Sequence, residues 1–141
     1  DVDVLLSLAQ RSSSEDPDLA SLAIEVATPL VFQVQPLQRR AMLLQNLAQT
    51  SRQCNGDVDV DLLCDGFILA DQLREEEKER YPDAPSRRDG NSPADLLEQT
   101  LLGQVAIDHY QAAMKYLNAM PNDEAKLAAQ LRVIEALRQT Y

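Results

Sequence analysis

The stretch "SPADLLEQTLLGQVAIDHYQAAMKYLNAM", residues 92–120, sets the tightest limit on what this chain can fold into. Ser92 is a good N-cap, and Pro93 suits the first helical turn, where its missing N–H has no intrahelical bond to lose. Gln104, Asp108, Gln111, Lys115 and Asn118 then fall on one narrow polar stripe. Leu97, Leu101, Leu102, Val105, Ile107, Tyr110, Ala113, Met114, Tyr116 and Leu117 cover the rest of the circumference. A helix this widely apolar has to be enclosed by other helices or by another subunit. Residues 93–120 are therefore expected at the centre of a helical bundle.

The rest of the chain reads as helices separated by turn residues. Leu5, Leu8 and Ala9 mark a short helix over residues 2–10, ended by the polar run "RSSSED". Asp16-Pro17 opens a second, with Leu19, Leu22, Ala23 and Val26 along its apolar face. Thr28-Pro29 and Gln35-Pro36 bracket "LVFQV", which suits a helical turn or kinked continuation better than a strand with no partner. Leu37, Ala41, Leu44 and Ala48 define a third helix from Pro36 to Gln53, closed by Asn55-Gly56. A fourth runs over residues 59–80 with Cys64, Phe67, Ala70 and Leu73 as its stripe, and a turn-rich segment, 81–92, is expected to be a mobile loop. After Met120-Pro121, Asn122 or Asp123 caps a last helix whose core face is Leu127, Leu131, Ile134 and Leu137. Its short link implies an antiparallel hairpin with the central helix. The expected fold is all-α: one domain, residues 1–141, built as an antiparallel or orthogonal bundle of about five helices.

A chain of 141 residues can bury one core without metal or disulfide staples, and with 4% aromatics and no Trp that core must be aliphatic. The formal charge of -10 and only 13 Lys and Arg argue against a surface that tracks a nucleic-acid backbone. The basic pairs Arg39-Arg40 and Arg87-Arg88 sit among neutral or acidic neighbours and read as solvated surface. No apolar run approaches the ~18 residues of a membrane span, and no charged-then-apolar leader opens the chain; the cytoplasmic location expected rests on the sparse cysteine pair. Asp1 is expected to follow a removed tag, a cleaved signal or a domain cut. Cys54 and Cys64 are too few for a zinc site with only one His in the chain, and read as reduced thiols.

Asp57, Asp59 and Asp61 have the opening spacing of a calcium-binding EF-hand loop, but Leu62 and Ile68 stand where that loop needs Gly and a bidentate Glu. Carboxylates here are expected to cap the start of the fourth helix. His109 is expected on the apolar side of the central helix as a structural histidine. "EEEKE" places Glu75, Glu76 and Glu79 in the E-E-x-x-E spacing of all-α pyrophosphohydrolases of the MazG and phosphoribosyl-ATP type. It resembles their first metal helix, and the stretch around Asp95 resembles the second, with Ser92 in place of its glutamate. That resemblance implies a magnesium-dependent nucleotide pyrophosphohydrolase. No nucleotide-binding glycine motif occurs.

Neither a catalytic, cofactor-binding or metal-ligating residue nor a cofactor is assigned from these signals. The leading expectation is a protein–protein interaction module, such as an adaptor, assembly factor or secretion-type chaperone. It would act through a helical surface on a partner protein, one with a basic surface or a second copy in a homodimer. The alternatives are the pyrophosphohydrolase-like enzyme and a secreted helical effector with a Cys54–Cys64 bridge.

Overall fold

Short polar side chains fix three of the seven helix starts among the described residues. In the computed structural model, which describes residues 2–84 and 88–141, the Asp16 carboxylate accepts from the Leu19 N–H and Pro17 begins α2, Pro17–Val31. The Ser92 hydroxyl accepts from the Asp95 N–H at 3.2 Å and Pro93 begins α5, Pro93–Ala106. Asp123 accepts from the Lys126 N–H at 3.1 Å to begin α7, Glu124–Thr140. The remaining helices are α1, Val2–Ser12; α3, Leu37–Asn55; α4, Asp61–Arg80; and α6, Tyr110–Ala119. Gly56 closes α3 in the left-handed conformation, φ 70°, its N–H bonded to the Arg52 carbonyl. The described residues are thus all-helical, with seven helices where the sequence suggests about five.

One break adds a helix to the six traced along the sequence, and the ambiguous stretch resolves without adding another. "LVFQV" is split: α2 carries Pro29 inside it, continues to Val31 and then turns. The long helix expected over 93–120 breaks at Ile107–His109, where His109 leaves the helical region (φ -131°, ψ 57°). Ile, Asp and His are all weak helix formers, and three in succession lower the cost of a break there.

The helices form two compact units, Asp1–Val58 and Asp59–Tyr141. In the first, α1, α2 and α3 make a three-helix bundle. Asp3 meets Arg39, Gln10 meets Thr50 and Cys54 meets Ala9, so α1 and α3 run in the same direction. In the second, α5 packs against α4, α6 and α7. Gly90, just before α5, lies by Glu124 and Ala128, Gly103 lies by Arg132 and Ala136, and Ile107 is bonded by Tyr141. Helices α5 and α7 are therefore parallel, with α6 as the return segment. The antiparallel hairpin expected between the central helix and the last one is not formed with α5.

Each unit is assembled from bulk on one side and small residues on the other. Leu97, Leu101, Leu102 and Val105 of α5 are fully buried, and α7 meets the core with Ala125, Ala129 and Val133. A Cβ at Gly103 would already lie 3.5 Å from the Arg132 side chain and 3.6 Å from that of Ala136, so α5 and α7 approach closely. In the first unit, α2 turns Ala20, Ala23, Ile24, Ala27 and Val31 inward against fully buried Leu6, Leu44 and Leu47. The leucine faces assigned to the core from the sequence are outside in both helices. Leu19, Leu22 and Val26 of α2 are exposed, and so are Leu127, Leu131 and Ile134 of α7. Alanine lets helices pack closely where two large aliphatic faces would hold them apart. On α4, Cys64 is likewise exposed, while Leu62, Leu63, Gly66, Leu69, Ala70 and Leu73 are buried.

This inverted burial predicts an inverted mutational response. Leu101→Ala should cost about 2–5 kcal/mol in urea denaturation, whereas Leu22→Ala should stay within about 0.5 kcal/mol of the parent.

Candidate functional site

The acidic residues singled out in the sequence do not converge. Glu75 and Glu79 are exposed, and Glu76 pairs with Arg80 at 3.2 Å on the surface of α4. Asp95, the residue that would complete a two-helix carboxylate site with them, turns inward instead and is fully buried. Asp59 accepts from the Asp61 N–H at 2.9 Å and Asp57 from the Val58 N–H at 2.7 Å, short local bonds that organise the approach to α4. Burial raises the Asp65 carboxyl, and Asp61 and Asp59 nearby push it further up. Among the described residues, no three His, Cys, Asp or Glu side chains are grouped so as to hold a metal ion. His109 is half-buried at the break between α5 and α6, its N–H on the Val105 carbonyl at 2.8 Å. Cys54 donates to the Ala9 carbonyl at 3.3 Å, burial pushes its thiol up, and both cysteines are free.

The buried charge belongs to a cluster that the sequence reading missed. Arg74 of α4 donates to Glu98 at 2.6 and 3.0 Å and to Asp95 at 2.6 Å, bridging two carboxylates one turn apart on α5. The second Asp95 oxygen accepts from the Gly90 N–H at 3.0 Å, and the Gln99 amide donates to the Gly90 carbonyl at 2.8 Å. Gly90 has φ +90°, and an added Cβ would stand 3.0 Å from that of Ala128, so glycine alone suits this turn. Arg88 donates from Nε to Asp123 at 2.5 Å, and its carbonyl accepts from the Ala125 N–H at 3.0 Å. Residues 88–92 are thereby tied to α5 and α7. Within the segment expected to be mobile, residues 85–87, including Arg87, lie outside the described residues, as does Asp1. Arg88, read as solvated surface, is an anchoring residue; its spacing to Asp123 gives no local hint of that.

Chemically, the cluster is arranged to hold rather than to react. Burial raises the Glu98 carboxyl, while the hydrogen bonds and charge of Arg74, with the more distant charge of Arg88, work against that rise. Asp123 is also pushed up by desolvation, but its bonds from Arg88 and the Lys126 N–H prevail and hold it below the usual carboxylate range. The guanidinium of Arg74 already serves both α5 carboxylates. Both carboxylates are held in place by that one side chain.

What remains open on the surface is apolar. On α2, Leu19, Leu22, Val26 and Leu30 recur at helical spacing and all are exposed. On α7, Leu127, Leu131 and Ile134 are 57%, 59% and 60% exposed along one line. Isolated exposed leucines are ordinary, but rows of this kind are the usual form of a helix-docking face. No family model, curated protein or solved structure matches the chain. No helix among the described residues is long and apolar enough to cross a membrane.

Removing Arg74 would leave Asp95 and Glu98 buried without their cation. Arg74→Met should destabilise the fold by about 3–5 kcal/mol. In NMR titration, Glu98 should titrate above the ordinary glutamate range, and higher still in Arg74→Met; Asp123 should titrate below the ordinary aspartate range. The linked stabilities have opposite signs. The contribution from Glu98 is full below its unfolded pKa and is lost as pH rises through the native value; that from Asp123 is present above its unfolded pKa and lost as pH falls through the native value.

Proposed function

We propose that this chain is a protein–protein interaction module whose α2 face docks an amphipathic, basic segment of another protein. The observation that carries the reading is the exposed row Leu19, Leu22, Val26 and Leu30, set on a helix that contains no Lys or Arg. Asp18 and Glu25 lie along one edge of that row, and Glu15 and Asp16 stand exposed at its start. Apolar side chains in a row supply the area that drives docking, and the acidic edge selects a partner with basic flanks. A second α2 would bring like charge against like. An adaptor, an assembly factor or a chaperone for a basic, helix-forming client all fit such a face. Two cysteines outside any disulfide, one held on a backbone carbonyl and the other exposed, suit a reducing compartment such as the cytoplasm.

The alternative magnesium-dependent enzyme finds less support, because Asp95 is committed to Arg74 and Gly90 while Glu75, Glu76 and Glu79 stay on the outer surface of α4.

The test is calorimetry with a synthetic 18-residue helix of Leu and Lys, compared with a Leu and Glu helix of the same pattern. The Leu/Lys peptide should bind and the Leu/Glu peptide should not. Leu22→Glu should weaken binding about tenfold or more, roughly the loss of one buried leucine contact. That substitution also adds negative charge, so simple attraction of a cationic peptide to an acidic protein would be strengthened by it. Unchanged or tighter binding by Leu22→Glu overturns the proposal.

A further inference from the structure

The exposed row on α7 differs in one respect from that on α2: its two ends carry opposite charges. Glu124, Leu127, Leu131, Ile134 and Arg138 follow one another at intervals of three and four residues, so they lie along one side of the helix. The three aliphatic residues are more than half exposed, and Glu124 and Arg138 are exposed as well. Ala125, Ala129 and Val133 hold the opposite side of α7 against the core. The row therefore faces away from the side that holds α7 to the core.

We infer that this face of α7 pairs with the same face of a second copy of the chain, in antiparallel orientation about a two-fold axis near Leu131. Glu124 and Arg138 each stand seven residues from Leu131, one on either side. An antiparallel copy centred there lays Leu131 on Leu131 of the second copy and Leu127 beside its Ile134. In the same register Glu124 comes level with Arg138 of the second copy, and the two-fold axis repeats that pair at the other end. The opposed helix dipoles also favour this orientation. A parallel copy would set Glu124 against Glu124 and Arg138 against Arg138. Self-complementarity of this kind is what an isologous interface requires. The partner here is another copy rather than a basic peptide, and the site is α7 rather than α2, so this inference stands apart from the function proposed above.

Helix α7 has 17 residues, a length of about 25 Å at 1.5 Å per residue. One helix pair of that size covers less than the ~1,200–2,000 Å² typical of a stable interface, so the dimer is concentration-dependent.

Analytical ultracentrifugation of the full chain across a concentration series tests this. The parent should move from monomer to dimer, and Leu131→Glu should remain monomeric with an unchanged helical circular dichroism spectrum. Leu22→Glu, on the other surface, should dimerise as the parent does. Glu124→Arg and Arg138→Glu should each weaken the dimer about threefold to tenfold, and the double variant should recover it, because the swap recreates both pairs. A chain that stays monomeric up to about 1 mM, where association would be weaker than ~4 kcal/mol, overturns the inference. So does a dimer indifferent to Leu131→Glu, or one that Leu131→Glu breaks but the charge swaps leave unaltered or the double swap fails to restore.

Discussion

Burial of small residues, alanine in both units and glycine where α5 meets α7, is the constraint on which both halves of this protein rest. Helix α2 in one unit and α7 in the other each spend their small residues on the core, where leucines from neighbouring helices fill the volume. A buried alanine contributes little area itself, but it lets larger side chains from the neighbouring helices reach each other. The outward leucines follow from that choice. Once one face of a helix is committed to a short interaxial distance, its bulkier face has nowhere to go but outside.

The second organising element is ionic. Arg74 joins α4 to α5 through two carboxylates on successive turns, and Asp95 joins α5 to Gly90. A buried network of this sort adds little net stability over a well-packed apolar core, yet it penalises any other register, since a shift would strand charges away from water. Packing of leucine on leucine tolerates sliding far better. The cluster thus supplies to the second unit a positional definition that its aliphatic core does not.

Three N-caps and one C-cap were readable from local chemistry, whereas α4, expected to be capped by carboxylates, has Val60 at its N-cap with no side-chain cap bond. Asp16-Pro17, Ser92-Pro93, Asn55-Gly56 and Asp123 act where short-range rules place them, because a cap depends on residues within one turn. Which side of a helix faces inward is not local in this sense. Leu127, Leu131 and Ile134 are together bulkier than Ala125, Ala129 and Val133, and only the partner helix decides between the two faces. The Arg74 cluster was hidden for the same reason. Arg74 stands 21 residues from Asp95 and 24 from Glu98, beside a run of glutamates that draws attention to itself. A charged residue aligned with Leu63 and Ala70 on an amphipathic helix was the one signal of that cluster in the sequence.

The parallel course of α5 and α7 carries an electrostatic consequence. Both helices begin at the same end of the unit, so their amino-terminal ends, each with partial positive charge, sit side by side instead of cancelling against a carboxyl-terminal end. Asp95 and Glu98 in the early turns of α5, and Asp123 and Glu124 at the start of α7, supply negative charge at that shared pole. Part of the acidity of this chain is in this way a counterweight demanded by topology, fixed in place where two like-facing dipoles meet.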